Sequence, residues 1–196
     1  NNVGKIYRDM GQGPKALEFF EKSLKIREEL VANEPDRTDF RSELSVIFNN
    51  VGKIYRDMGQ GPKALEFYEK SLKVREELVA KEPERNDFRR KLSFSLNNVG
   101  NIYEAMGQGV KALESFEKSL KVMEELVAKE PDRTDFQVDY AICHWKIYWV
   151  CSSQNKIIWL TKAKAILEPL IENGITHGQL EELWEKVNKA INQQKQ

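Results

Sequence analysis

Two cysteines, two histidines and six prolines among 196 residues leave little material for several common ways of bracing or arming a protein. Cys143 and Cys151 fall in one helical pattern. At 1.5 Å per residue their Cα atoms would stand about 12 Å apart, beyond the reach of a disulfide, and a reducing, cytoplasmic setting is the expectation. His144 and His177 belong to different elements, and no Cys or His spacing matches a structural metal site, so no metal is expected. No apolar run approaches the roughly 18 to 20 residues of a membrane span, and nothing at the N-terminus reads as a signal peptide, so a soluble protein without a membrane partner is expected. Lys+Arg 31 balance Asp+Glu 31, which removes the overall basic field that supplies most non-specific affinity for nucleic acid. A phosphate loop, a nucleophile elbow and a dinucleotide fingerprint are all lacking, and no acid, base and nucleophile come together. The expectation is therefore no enzyme, no catalytic residue and no cofactor.

What the chain has is repetition. Asn49-Asn50-Val51-Gly52-Lys53-Ile54-Tyr55-Arg56-Asp57-Met58-Gly59-Gln60-Gly61 stands also at Asn1 to Gly13 and, with modest edits, at Asn97 to Gly109, a period of 48 residues. The match runs on through Ala16-Leu17-Glu18, Ala64-Leu65-Glu66 and Ala112-Leu113-Glu114 to Glu34-Pro35, Glu82-Pro83 and Glu130-Pro131. A fixed period of this size means stacked supersecondary units, each burying its apolar face only against its neighbours. The sequence opens at the middle of such a unit, which reads as a piece of a longer protein.

In the second unit Leu44, Ile47, Phe48, Val51, Ile54, Tyr55 and Met58 recur at steps of three and four, the spacing of an amphipathic helix A. Thr38 or Asp39 is its expected N-cap and Gly59 its left-handed C′ residue. Pro62 opens helix B, whose stripe is Ala64, Leu65, Tyr68, Leu72, Val74, Leu78 and Val79, and which ends near Ala80 or Lys81 because Pro83 follows. So short a link makes A and B an antiparallel hairpin. Gly52 and Ala64 are the small residues at which the two backbones are expected to approach, with Tyr55 and Tyr68 as bulk beside them. Glu66 with Lys70, and Glu69 with Lys73, pair at i,i+4 on a solvated outer face. Phe40, Phe88 and Phe136, just after the Pro links, read as packing anchors.

Phe48, Val51-Gly52-x-x-Tyr55, Ala64, Tyr68 and Ser71, and again Leu96, Val99-Gly100-x-x-Tyr103, Ala112, Phe116 and Ser119, resemble the tetratricopeptide repeat signature. The common unit of that family is 34 residues, against 48 here. The long-helix variants of kinesin light chains share the Leu-Asn-Asn-x-x-x-x-Tyr opening, and the chain resembles them more closely. The resemblance implies an all-α fold, a right-handed superhelical solenoid of antiparallel hairpins with about nine helices. The whole is read as one array: a truncated repeat at 1–37, repeats at 38–85 and 86–133, a degenerate fourth at 134–174 and a capping helix at 175–196. In the fourth repeat Asp135 to Val150 reads as a helix A in which Tyr148 replaces the glycine and Cys151 the tyrosine. Helix B then runs from Lys156 to about Glu168, with Pro169 limiting its last turns and Gly174 as its stop. Thr176-His177-Gly178-Gln179 fits a capping box before the stripe Leu180, Leu183, Trp184, Val187 and Ile191.

Stacked hairpins curve so that the A helices form the concave wall. On that wall Asn49, Lys53 and Arg56 share a face, repeated by Asn1, Lys5 and Arg8 and by Asn97, Asn101 and Glu104, with Asn2, Asn50 and Asn98 on the adjoining edge. Asn amides both donate to and accept from an extended peptide backbone, and Lys or Arg attracts carboxylates. The tetratricopeptide resemblance implies the same use: groove asparagines that hold peptides, and Lys with Asn as a carboxylate clamp, although the third unit has Asn101 where the others have lysine. The plainer alternative is a set of solvated polar positions shared through duplication. Trp145 and Trp149 fall on the same register in the fourth repeat. They either close one end of the groove as an aromatic hot spot or pack on the cap helix or the fourth helix B. The leading expectation is a protein or peptide-binding module. The alternative is a structural array that self-associates or acts as a rigid spacer, contacting a second copy through the aromatic C-terminal region or the N-terminal end.

Overall fold

The computed structural model describes residues 2–152, 156–176 and 178–194. Its elements are all helical: α1 (Asn2–Asp9), α2 (Gly13–Asn33), α3 (Thr38–Asp57), α4 (Gly61–Lys81), α5 (Asn86–Ala105), α6 (Gly109–Lys129), α7 (Thr134–Val150), α8 (Ile157–Glu172) and α9 (Gly178–Gln193). Two compact bodies emerge, residues 1–107 and 108–196. In the first, each of α1 to α4 packs on the next; in the second, α6 packs on α7, α7 on α8, and α9 on both α8 and α7. The odd helices α1, α3, α5 and α7 are A helices, and α2, α4, α6 and α8 are B helices.

The A-to-B turn is fixed by backbone chemistry. Gly11, Gly59 and Gly107 all adopt φ of 72°, a left-handed backbone conformation that residues with a Cβ rarely take, and the Gln60 amide donates back to the Tyr55 carbonyl at 2.8 Å, satisfying an otherwise orphaned helix-end group. Pro14 and Pro62 then sit in the first turns of α2 and α4.

The B-to-A link works differently from the expected side-chain cap. The residue at the N-cap of α3 is Arg37, with no side-chain cap, and the helix already runs from Thr38. Arg37 instead grips Asp39 through two hydrogen bonds of 2.9 and 2.6 Å and lays its guanidinium 4.3 Å from the Phe40 ring centre. That keeps the Asp39 carboxylate in the first helical turn, where the helix dipole favours a negative charge. Arg85 with Asp87 and Phe88, and Arg133 with Asp135 and Phe136, repeat the arrangement. Phe88 and Phe136 are buried and Phe40 is half-buried.

Gly52 is also small for a different reason than expected. A Cβ built there would lie 2.9 Å from the Tyr68 ring, and one at Gly4 would lie 2.8 Å from the Phe20 ring. The glycine makes room for the aromatic ring of the following B helix, not for its backbone. Ala16 and Ala64 are fully buried, and Ala16 joins Phe20, Ile47, Val51 and Ile54 in one cluster while Ala64 joins Tyr68, Val99 and Ile102 in the next. Helices α2 and α4 therefore each fill the space between two A helices. Of the expected surface pairs, Lys70 reaches Glu66 at 2.6 Å, whereas Glu69 accepts the Tyr103 hydroxyl of α5 at 3.0 Å.

A polar seam crosses the first body. The buried Ser71 hydroxyl of α4 donates to the Ser45 carbonyl of α3 at 2.8 Å and lies 3.3 Å from Ser95 Oγ of α5. One turn on, the buried Arg75 guanidinium donates to Ser45 Oγ and to the main-chain carbonyl of Lys91. Burial alone lowers its pKa to about 10, so it stays charged at neutral pH. In the preceding copy, Arg27 meets the carboxylate of Glu43. At the corresponding position of α5 stands Lys91, so Arg75 has no carboxylate there.

In the second body, Cys143 and Cys151 are free thiols. Helix α7 ends at Val150, before Cys151, because that residue adopts extended backbone. Tyr148 is buried with Leu160 and Ala190, with Trp145, Trp159 and Ile191 around them. Helix α8 continues past Pro169 to Glu172, and Gly174 at φ of 71° ends the turn that follows. The stripe of α9 closes on α7 and α8 through Leu180, Leu183 and Val187. The expected capping box includes His177, which lies outside the described residues.

Two stability outcomes follow. Gly52→Ala should lower the urea midpoint by the equivalent of about 1–3 kcal/mol despite alanine's better helix propensity, and in a Tyr68→Ala background the same substitution should instead stabilise. Lys91→Glu should supply the missing partner of Arg75 and raise stability by about 1–2 kcal/mol, read in the same titration.

Candidate functional site: the open face of the A helices

Five residues of α3 fall on one stripe at steps of three and four: Ser42, Val46, Asn49, Lys53 and Arg56. The opposite side of the helix carries Leu44, Phe48, Val51 and Tyr55 against the B helices. On α5 the same stripe is Arg90, Phe94, Asn97, Asn101 and Glu104. Val46 and Phe94 are exposed on it, where the amphipathic pattern calls for polar residues. Their only signal in the sequence is that they are apolar residues off the core stripe, and the reading of the chain by its core periodicity passed over them. Arg90 places its guanidinium 5.3 Å from the Phe94 ring centre.

The asparagines divide into two groups. Asn98 of α5 donates its amide to Asn49 Oδ1 of α3 at 2.7 Å, so these two side chains tie neighbouring A helices together. A bond between them arises because Asn98 lies on the edge of α5 that faces α3, and Asn49 on the edge of α3 that faces α5. Asn50 and Asn97 are buried at the helix seam, and Asn101 is half-buried. On α1, Asn2 and Lys5 are exposed and Arg8 is half-buried; Asn1 lies outside the described residues.

The cations divide as well. Arg8 pairs with Asp9 at 2.6 Å and Arg56 with Asp57 at 2.8 Å, so each guanidinium is held by the carboxylate that follows it. Lys53 is half-buried and Lys5 exposed, and neither has an ion-pair partner among the described residues. The stripe of α3 and α5 thus offers two apolar contacts, oriented amides between them and one unneutralised ammonium.

In the second body the same stripe on α7 reads Ile142, Trp145 and Trp149. Trp145 is half-buried against the cluster that α9 completes, and its ring meets Trp149 edge-on at 5.5 Å. Trp149 is 56% exposed. The expected aromatic pair is therefore split, one ring packed on the cap helix and one presented to solvent. Between α7 and α9 runs a cleft of about 310 Å³ lined by Ile142, Trp145, Lys146, Gln179, Glu182, Leu183 and Lys186, where the Glu182 carboxylate holds the Lys186 ammonium.

His144 points away from this stripe. It is 2% exposed, edge-on to Tyr140 at 4.7 Å and 5.5 Å from the Trp159 ring, and its Nδ1 has no hydrogen-bond partner. Burial, and then the nearby Lys162 ammonium, push its pKa down to about 4. Among the described residues no group of His, Cys, Asp and Glu is arranged to hold a metal ion, and no helix is long and apolar enough to cross a membrane.

The tetratricopeptide repeat family model matches residues 1–36, 46–83 and 95–131, more than half of the chain. The chain belongs to the tetratricopeptide repeat family. Repeats of this family serve in general as non-catalytic scaffolds for protein partners. No curated protein matches the sequence. Among solved structures, a Podosopora anserina protein with nearly identical TPR-like repeats and a provisional kinesin light chain name is 18% identical, with a TM-score of 0.56 over 100% of this chain and 94% of that one. BtubC (BKLC) from P. vanneervenii is 16% identical, with a TM-score of 0.53 over 97% and 78% of the two chains. The apo form of RapI is 16% identical, with a TM-score of 0.59 over 99% and 68%. At these identities the likeness is one of fold: an all-α solenoid of tetratricopeptide-like hairpins.

One acid-sensitive element follows from the geometry of His144. Its folded pKa lies below its ordinary value of 6.5, so the unfolded chain binds the proton more readily between those two values. The stability it contributes is complete above pH 6.5 and is lost as the pH falls toward 4, a change of about 3 kcal/mol. Thermal melts from pH 7.5 to 4.5 should show this loss, and His144→Phe should flatten it.

Proposed function

We propose that this chain is a protein-interaction module whose A-helix face on α3 and α5 holds an extended segment of a partner. The observation that carries the reading is the placement of exposed Val46 and Phe94 on one stripe with amides and with Lys53, which has no ion-pair partner among the described residues. An extended backbone offers alternating donors and acceptors to amides on this face such as the half-buried Asn101, and apolar side chains of the segment would cover Val46 and Phe94. Lys53 favours a carboxylate in the same segment. Tetratricopeptide membership supports the general reading, and the segment's direction and sequence are set by whichever partner supplies it.

A peptide library selected on the purified chain provides the test. Peptides that bind the wild type should lose about tenfold or more in affinity to Phe94→Asp and to Lys53→Glu, with circular dichroism unchanged, and should bind normally to Glu66→Gln on the opposite face. Binders insensitive to both A-face substitutions would place the function elsewhere.

A further inference from the structure

The 48-residue register sets Arg27, Arg75 and Met123 at one position of the B helices, and Glu43, Lys91 and Asp139 at one position of the A helices that follow them. The first copy is an ion pair, Arg27 against the Glu43 carboxylate. The third keeps an acid, Asp139, and has the fully buried Met123 in place of the cation. Only the second of these three copies sets two cations at the two positions. Removing a guanidinium from water is costly unless a counter-charge meets it. Arg75 is 6% exposed, its Nε and Nη1 donate to the neutral oxygens Ser45 Oγ and Lys91 O, and its Nη2 has no partner among the described residues. No carboxylate contributes to its pKa, which burial alone lowers. Lys91 reaches the same place from α5: its Nζ lies 3.4 Å from Ser42 Oγ, and the Ser42 carbonyl accepts the hydroxyl of Ser45, the residue that meets Arg75. The acid near Lys91 is Asp87 at 3.8 Å, and Arg85 already holds that carboxylate through hydrogen bonds of 2.8 and 2.9 Å. Arg41, next to Ser42, is held by Glu77 at 2.7 Å. A guanidinium, an ammonium and a hydroxyl therefore gather around the first turns of α3 and α5 without a matching anion.

We propose that Arg75, Lys91 and Ser42 form a binding site for one phosphate group, either the free ion or a phosphorylated side chain. The first copy shows that one carboxylate answers one guanidinium at this place. With that carboxylate exchanged for an ammonium, the second copy presents two positive charges, and an anion of two charges matches them. Phosphate carries about −1.5 to −2 at neutral pH and has at least three strong acceptor oxygens. Those oxygens can accept from Arg75 Nη2, Lys91 Nζ and the Ser42 hydroxyl together, and a guanidinium fork suits an oxyanion better than a halide. The site adjoins the Ser42 end of the A-helix stripe but requires no bound segment there, so it is independent of what that stripe holds.

The test is calorimetric titration of the chain with inorganic phosphate, paired with thermal melts in rising phosphate at an ionic strength held constant with chloride. Saturable binding and a saturable rise in melting temperature are expected. Arg75→Met should weaken the affinity about tenfold or more; methionine is the residue that the third copy buries at this position, as Met123. Lys91→Glu, which restores the arrangement of Arg27 with Glu43, should melt higher than the wild type and lose the phosphate response. Lys70→Gln removes a cation from the outer face of the same helix and should leave the affinity unchanged. Parallel titrations with N-acetyl-phosphoserine amide separate the two sources. Binding of both probes supports a phosphorylated side chain as occupant, and binding of inorganic phosphate alone supports the free ion. No saturable binding of either probe, an equal affinity for acetate, or binding retained in both Arg75→Met and Lys91→Glu would overturn the proposal.

Discussion

An aromatic ring resting on a glycine organises this array. Phe20 on Gly4 and Tyr68 on Gly52 place a six-membered ring where any Cβ would intrude, which fixes both the distance and the lateral register of each A and B pair. The interior is close-packed, so such a contact does not deform gradually. The neighbouring alanines Ala16 and Ala64 then admit the next A helix, and the hydrophobic clusters of the first body follow one after another along the chain. Backbone devices at either end of each pair, a left-handed glycine at one and an Arg-Asp-Phe clamp at the other, set the direction of entry and exit.

With the helices so placed, the A-helix stripe carries only part of the packing: Asn49 bonds Asn98 and Asn97 is buried, while Val46 and Phe94 stay exposed. That explains why its composition can drift even between the first three copies, which keep the glycine (Gly4, Gly52, Gly100) and the ring (Phe20, Tyr68, Phe116). Ser42, Val46 and Glu43 on α3 become Arg90, Phe94 and Lys91 on α5, and the stripe then reads Ile142, Trp145 and Trp149 on α7. Some of this drift carries a structural cost, as at Arg75, whose guanidinium faces a lysine backbone where its counterpart has a carboxylate. Elsewhere the drift supplies chemistry that a partner could use.

Much of the fold was legible because the 48-residue register shows the same residue types returning to the same jobs. Gly59, Pro62, Pro83 and the stripes of Val51 and Tyr68 each act locally, and local rules place them. The purpose of Gly52 was misread, since whether a glycine admits a backbone or a ring depends on the rotamer of a residue 16 positions away. The pairing of Asn98 with Asn49 was hidden for a related reason: the 48-residue register sets Asn49 against Asn97, while the lateral offset of two neighbouring helices joins Asn49 to the residue one further on. Val46 and Phe94 escaped notice because a periodic reading searches for apolar residues on the core face and discounts the others. Arg37 as a carboxylate clamp was missed because capping rules look first to Ser, Thr, Asp and Asn.

The ring-on-glycine contact reaches from one helix to the next but no further along the chain. Its two halves, Gly52 and Tyr68, lie within a single period, as do Gly4 and Phe20. Loss or gain of a few residues inside a period would rotate one partner away from the other, whereas loss or gain of a whole period returns every ring to a glycine. Such an architecture evolves in quantised lengths: recombination between near-identical copies can shorten or extend it by full periods without any new contact having to be invented.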